Sequence, residues 1–157
     1  MELVALLSSG KGTWAQVSGL IKYGEWDKII LIGGDFAKDF TSEKNFEFIK
    51  VDLDKKLIEL KKDILSKLKG KIDGTEVALS IASGDGKEHM SLISALLSMP
   101  TGIRFVALTK DGIVYLWTFI NSYNSCVIMP KYLAYQFDSS QLTKERLLKV
   151  LDDYFDL

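Results

Sequence analysis

The chain has 157 residues, 47% hydrophobic and 26% charged, with 20 Lys and Arg against 21 Asp and Glu for a net charge of -1. That balance excludes an intrinsically disordered chain and the strong positive field that duplex nucleic acid or an anionic membrane surface attracts. The length suits one domain, residues 1–157, with one substantial core. The single cysteine, Cys126, has no internal partner, so nothing marks a secreted scaffold stapled by disulfides. Met1 to Leu7 carries no basic leader and reads as a buried strand, not a signal peptide. No apolar run approaches the roughly 20 residues of a membrane span. The expected setting is the cytoplasm, with no membrane partner.

Leu3 to Leu7 is a continuous apolar run that stops at Ser8-Ser9-Gly10-Lys11-Gly12. From Thr13 to Tyr23 the apolar residues Val17, Leu20 and Ile21 fall on one helical face, and Gly24 ends the stretch as a C′ residue. Lys28 to Gly33 is a second apolar run, closed by Gly34 and Asp35. Two such runs joined by a helix form a βαβ unit. Strands apolar on both faces are what a parallel sheet covered on both sides requires.

The pattern then repeats. Phe46 to Val51 alternates as a half-exposed strand, and Asp54 is positioned to cap a helix through Leu68 with the stripe Leu57, Leu60, Ile64 and Leu68. The Lys- and Glu-rich stretch from Asp54 to Lys71 supplies its solvated face. Gly70 to Gly74 is a turn, Glu76 to Ala82 a strand, and Ser83-Gly84-Asp85-Gly86-Lys87 a second Gly-rich loop. A helix from Glu88 to Leu97 and a strand from Ile103 to Leu108 follow. Lys110-Asp111-Gly112 then signals a hairpin into Ile113 to Ile120. Tyr115, Trp117 and Phe119 alternate along that strand, with Val114 and Leu116 between them, so one face is a candidate dimer surface. Cys126 to Met129 and Tyr132 to Phe137 suggest short strands. Thr143 caps a last helix, with Leu142 and Leu147 as its hydrophobic staple and a stripe continuing through Leu148, Leu151, Tyr154 and Phe155. The sum is an α/β protein: a three-layer, Rossmann-like sandwich with a mainly parallel sheet and an antiparallel C-terminal hairpin.

Open parallel sheets bind ligands outside the carboxyl ends of their strands, where the strand order reverses. Both Gly-rich loops sit at strand carboxyl ends and precede helices; if their strands are neighbours, they face one crevice. Glycine lets the backbone approach a ligand closely, and free N–H groups at a helix N-terminus favour an anion. Ser8, Ser9, Thr13 and Ser83 add hydroxyls, and Lys11 and Lys87 add charge. The candidate ligand-binding set is Ser8, Ser9, Gly10, Lys11, Gly12, Thr13, Ser83, Gly84, Asp85, Gly86 and Lys87. A phosphate or phosphodiester is the expected ligand. Gly10-Lys11-Gly12-Thr13-Trp14-Ala15 also fits the G-x-G-x-x-A form of the dinucleotide fingerprint, with Asp35 where a ribose-binding acid would sit. No Walker A loop is present. Ser9-Gly10-Lys11-Gly12-Thr13-Trp14 faintly resembles the S-G-G-x-D-S loop of PP-loop ATP pyrophosphatases, but the second adjacent Gly and the Asp are missing, which argues against adenylating chemistry.

Together, the two loops resemble the ligand face of the CRISPR-associated Rossmann fold (CARF) domains. In that family a Ser/Thr-rich loop follows the first strand, and an S-G-G-type loop with a nearby Lys or Arg follows the fourth. Here Ile81 to Met90 leads into Leu92 to Leu97 and then Gly102 to Val106, and the hairpin Thr109 to Tyr115 suits the family's antiparallel ending. Asp85 stands where the family often has its second Gly. The resemblance covers about residues 1–120. It implies a homodimer whose paired loops hold a cyclic oligoadenylate on a two-fold axis. Such symmetry doubles each contact, and Ser9, Lys11, Ser83 and Lys87 of both protomers are expected to line a shared groove. Too few residues follow Phe137 for an effector domain, so it implies a stand-alone sensor or a ring nuclease serving antiviral defence. The alternatives are a sensor without chemistry and a mononucleotide- or NAD-binding Rossmann protein.

Catalytic candidates are Lys87, Ser9 and His89. His89, the only histidine, lies in the first turn of the helix that opens at the site and could serve as acid or base, or could be a solvated or capping residue. With no second His or Cys beside it, a metal site is not expected, and no cofactor is either. Metal-independent cleavage could use the ribose 2′-OH as internal nucleophile, with Lys87 and Lys11 stabilising charge. Trp14, Trp26 and Trp117 read as core or interface residues, with base stacking a further option for Trp14.

Overall fold

A computed structural model describes residues 1–9 and 11–119, all within one compact unit of the chain, Met1–Cys126. The expected strands after Ile120 and the expected helix at Thr143 lie outside the described residues. The elements run β1 (Glu2–Leu7), α1 (Lys11–Tyr23), β2 (Ile29–Gly33), a 3-10 turn (Asp35–Asp39), β3 (Glu47–Lys50), α2 (Leu57–Leu68), β4 (Glu76–Ser80), α3 (Gly86–Leu96), β5 (Gly102–Thr109) and β6 (Gly112–Phe119). The strands form one six-stranded sheet in the order β3-β2-β1-β4-β5-β6. β1 to β5 are parallel and β6 closes the edge antiparallel to β5. The chain is α/β, a mostly parallel Rossmann-like sheet with a β5–β6 hairpin. Among the described residues no helix is long and apolar enough to cross a membrane.

The central strands are apolar on both faces because both faces are covered. Val4, Leu6, Ile30, Ile32, Val77 and Leu79 pack on one side against Leu60, Ile64 and Leu68 of α2 and Leu92, Ala95 and Leu96 of α3. Leu3, Ala5, Leu7, Ile29 and Leu31 pack on the other side against Val17, Leu20 and Ile21 of α1. Each fully buried Leu or Ile contributes about 1.5–3 kcal/mol of transfer free energy. One residue of slip in β1 would exchange its two faces, so the register is strongly specified.

Three local expectations are corrected. Asp54 does not cap α2: the carboxylate of Asp52 accepts the Asp54 amide at 3.1 Å, which holds 52–55 in a turn and delays the helix to Leu57, after Lys56. Gly24 follows α1, but not in a left-handed conformation; instead a Cβ there would lie 2.4 Å from the Trp26 indole, which donates to the Leu20 carbonyl at 2.8 Å. β4 ends at Ser80, not Ala82, because the Ser80 hydroxyl accepts the Ala82 amide and bends the chain away from the sheet.

Candidate functional site

β1 and β4 are neighbours, paired Val4 to Leu79 and Ala5 to Ser80, so the two Gly-rich loops leave the sheet side by side. β2 continues the sheet on one side and β5 on the other, which makes this the point where strand order reverses.

Ser83 joins the loops. Its side chain is fully buried, and its hydroxyl oxygen accepts the Ser8 amide at 2.9 Å and the Thr13 hydroxyl at 2.8 Å. The Ser83 carbonyl accepts from Nε2 of His89 at 3.0 Å; a carbonyl can only accept, so that nitrogen carries the proton. Gly84 makes this possible. Its φ is +125°, and a Cβ there would lie 2.6 Å from His89 Nε2.

The second loop is closed by its own acids. Asp85 caps α3 by accepting the Glu88 amide at 2.8 Å, and Glu88 accepts the Asp85 amide at 2.9 Å in a reciprocal capping box. Glu88 is buried, and its other oxygen accepts the Ser8 hydroxyl at 3.4 Å. Two carboxylates therefore already occupy the positive end of the α3 dipole, which leaves little attraction there for an anion. Lys87 donates to the Leu53 carbonyl at 2.6 Å, so its ammonium joins α3 to the segment before α2.

The first loop is built differently. No acid stands in the first turn of α1, which begins at Lys11. Gly12 is exposed, and a Cβ added there would meet none of the described residues within 4 Å. Ser9 is exposed beside it. Gly86 in the first turn of α3 is similarly open. Beside Gly12 lies an open cleft of about 650 Å³, lined on the α1 side by Gly12, Thr13 and Gln16 and on the other by Ile81, Ala82 and Leu116. The early end of β4 is what turns Ile81 outward, leaving it 41% exposed.

On its β2 side the first loop is braced by aromatic rings. Trp14 donates its indole N–H to the Ser8 carbonyl at 2.7 Å, lies nearly parallel to Phe36 and meets Phe40 edge-on. This is the core role for Trp14. Asp35 sits between Lys38 and Lys50 at 2.5 and 2.6 Å. Hydrogen bonds from Lys38 and then Lys50 hold its carboxyl down at about 2. Its oxygens are thus shared with two ammonium groups where a ribose-binding acid would keep them for a diol.

Ser8, Thr13, Ser83, Asp85, Glu88 and His89 thus form one bonded cluster around Gly84, whereas Lys87 is engaged elsewhere. The sequence reading missed Glu88, Gln16, Ile81 and Phe36. Asp85 followed three residues later by Glu88 was a readable capping signal, and Gln16 follows Gly12 and Thr13 on one helical face. Ile81 could not be found so, because its outward turn depends on where β4 ends. Among the described residues no group of His, Cys, Asp and Glu is arranged to hold a metal ion. No protein-family model matches the chain, and no curated protein matches it.

Proposed function

We propose that this domain binds a nucleotide of the cyclic oligoadenylate type at the first turn of α1 and retains it without cleavage. The observation that carries the reading is Gly12. A glycine in a helix interior costs roughly 0.5–1 kcal/mol relative to alanine, and less in the first turn where Gly12 stands. Among the described residues neither a positive φ nor a neighbouring atom calls for it; Gly86 is open in the same way, but beneath the acids that cap α3. A group from outside the chain that needs close approach to the backbone accounts for it, and an acid-free helix N-terminus suits a phosphate. The adjacent cleft, apolar with Thr13 and Gln16 at its wall, suits a flat heterocycle.

Retention without chemistry follows from how the candidate groups are used. Nε2 of His89 is engaged with Ser83, the Ser83 hydroxyl is buried, and Lys87 is bonded to Leu53. Ser9 is exposed, but no described side chain is bonded to it as a base. A ligand with two-fold symmetry would be held by two copies of the domain, doubling each contact.

Calorimetry with cyclic tetra- and hexa-adenylate, AMP and NAD, without metal, tests the reading, with chromatography of the ligand afterwards. Wild type is expected to bind a cyclic oligoadenylate and return it intact. Gly12→Val fills space that no described residue occupies, so it should fold normally yet bind roughly 5- to 100-fold more weakly, the usual cost of overpacking. Lys87→Ala should bind as wild type does. Linear products would replace the sensor with a ring nuclease, and binding of NAD alone would replace the ligand class.

A further inference from the structure

We infer that Phe36 is a second seat of the same ligand, a stacking platform for a nucleobase on the β2 side of the first loop; this rests on the nucleotide reading above. Phe36 follows the carboxyl end of β2, in the 3-10 turn Asp35–Asp39. It is 40% exposed, yet it is held firmly. Gly34 is buried beneath it, and a Cβ there would lie 2.8 Å from the ring, so glycine lets the ring settle against the backbone. Trp14 lies beside it with ring planes 19° apart and centroids 6.4 Å apart. Trp14 is in turn anchored to the Ser8 carbonyl of the first loop. An aromatic ring fixed on one side and open to water on another loses little freedom when a base stacks on it.

The placement adds a direction to the ligand. Gly12, Thr13 and Gln16 face the cleft toward β4 and β5, while Trp14 and Phe36 lie toward β2. A phosphate at the first turn of α1 would then stand between two apolar seats. That order, base then phosphate then base, is the chemistry of an oligonucleotide and not of a mononucleotide. Stacking reads the π-face, so the Phe36 seat would accept either purine.

The test is calorimetric titration of cyclic tetra-adenylate into wild type, Phe36→Leu and Phe36→Trp. Leucine keeps apolar bulk but has no ring, and is expected to weaken binding roughly 5- to 100-fold, the range for loss of one base–aromatic stack. Tryptophan is expected to hold or tighten it. AMP should lose much less in Phe36→Leu than the tetra-adenylate does, since one base fills only one seat. If both variants bind the tetra-adenylate as wild type does, the platform is wrong while the nucleotide reading stands. If wild type binds no nucleotide at all, both fall. Should Phe36→Leu not fold, the Phe36→Trp protein decides through the emission it adds to that of the three native tryptophans. Quenching greater than wild type shows as tetra-adenylate saturates supports the seat, and quenching no greater than wild type's overturns it.

Discussion

Ser8 to Gly12 and Ser83 to Lys87 share a composition of glycine, serine and lysine after an apolar strand, yet their helices begin in opposite electrostatic states. α3 starts under two carboxylates of its own, with Glu88 buried and Asp85 bonded to it. α1 starts with none. Their glycines differ too: Gly84 is demanded by a left-handed φ and by the His89 ring, whereas Gly12 and Gly86 are demanded by nothing among the described residues. Of those two open glycines only Gly12 stands at a helix start without acids. One loop is scaffold and the other is left open. Similar composition at equivalent places in a sheet therefore says where a ligand could bind, but it does not apportion the work between the loops.

Three substitutions would break or sharpen that contrast. The largest effect is expected for Gly84→Ala, which strains the backbone at φ +125° and drives a methyl into His89. Urea unfolding should show a loss of roughly 2–4 kcal/mol, from strain plus a broken Ser83–His89 contact. A loss below about 1 kcal/mol would mean the second loop is not scaffold. Gly12→Ala should move stability the other way, a gain of about 0.5 kcal/mol, because alanine is the better helix former and has free space. Destabilisation there would assign Gly12 an internal role and remove the main support for a ligand at α1.

The smallest effect concerns Asp35 beside the first loop. Its carboxyl is lowered from 3.8 to about 2 by Lys38 and Lys50, so the folded state holds it ionised more firmly than the unfolded chain does. The associated stability is present above pH 4 and is lost as pH falls from about 4 to about 2. Because the pair is exposed, the loss should be slight and should shrink further in salt. Thermal unfolding of Asp35→Asn across that window should fall less steeply than wild type; equal slopes would discount the ion pairs.

Much of the fold could be read from runs and periodicity. Leu3 to Leu7 and Ile29 to Gly33 are apolar on both faces, and the three- and four-residue spacing of Leu57, Leu60, Ile64 and Leu68 is that of one helical face. Element ends were harder, since they are set by single hydrogen bonds. Asp52 holds a turn where Asp54 was expected to cap α2, and Ser80 ends β4 early. That the two loops stand at strand-to-helix corners was legible because glycine loops after apolar strands imply such corners. The destination of Lys87 was not, because the Leu53 carbonyl that receives it is 34 residues away in sequence. Nor was the anchoring of Trp14 on Ser8, which depends on where the loop backbone turns its carbonyl.

The Ser83 hydroxyl has one more consequence, for the order in which the molecule assembles. It receives the amide of Ser8 across 75 residues of chain and the hydroxyl of Thr13 across 70. The first βαβ unit can pair β1 with β2 early, but the first loop gains its partner only when β4 docks alongside. Contacts of such long sequence separation form late and slowly. A nascent or truncated N-terminal half would therefore carry the glycine loop without the bond that fixes it. In the finished domain the Ser8 amide should exchange with solvent only when β1 and β4 come apart, which makes that proton a reporter of global opening. Any ligand resting on the first turn of α1 would slow that exchange by mass action, without touching Ser83 itself.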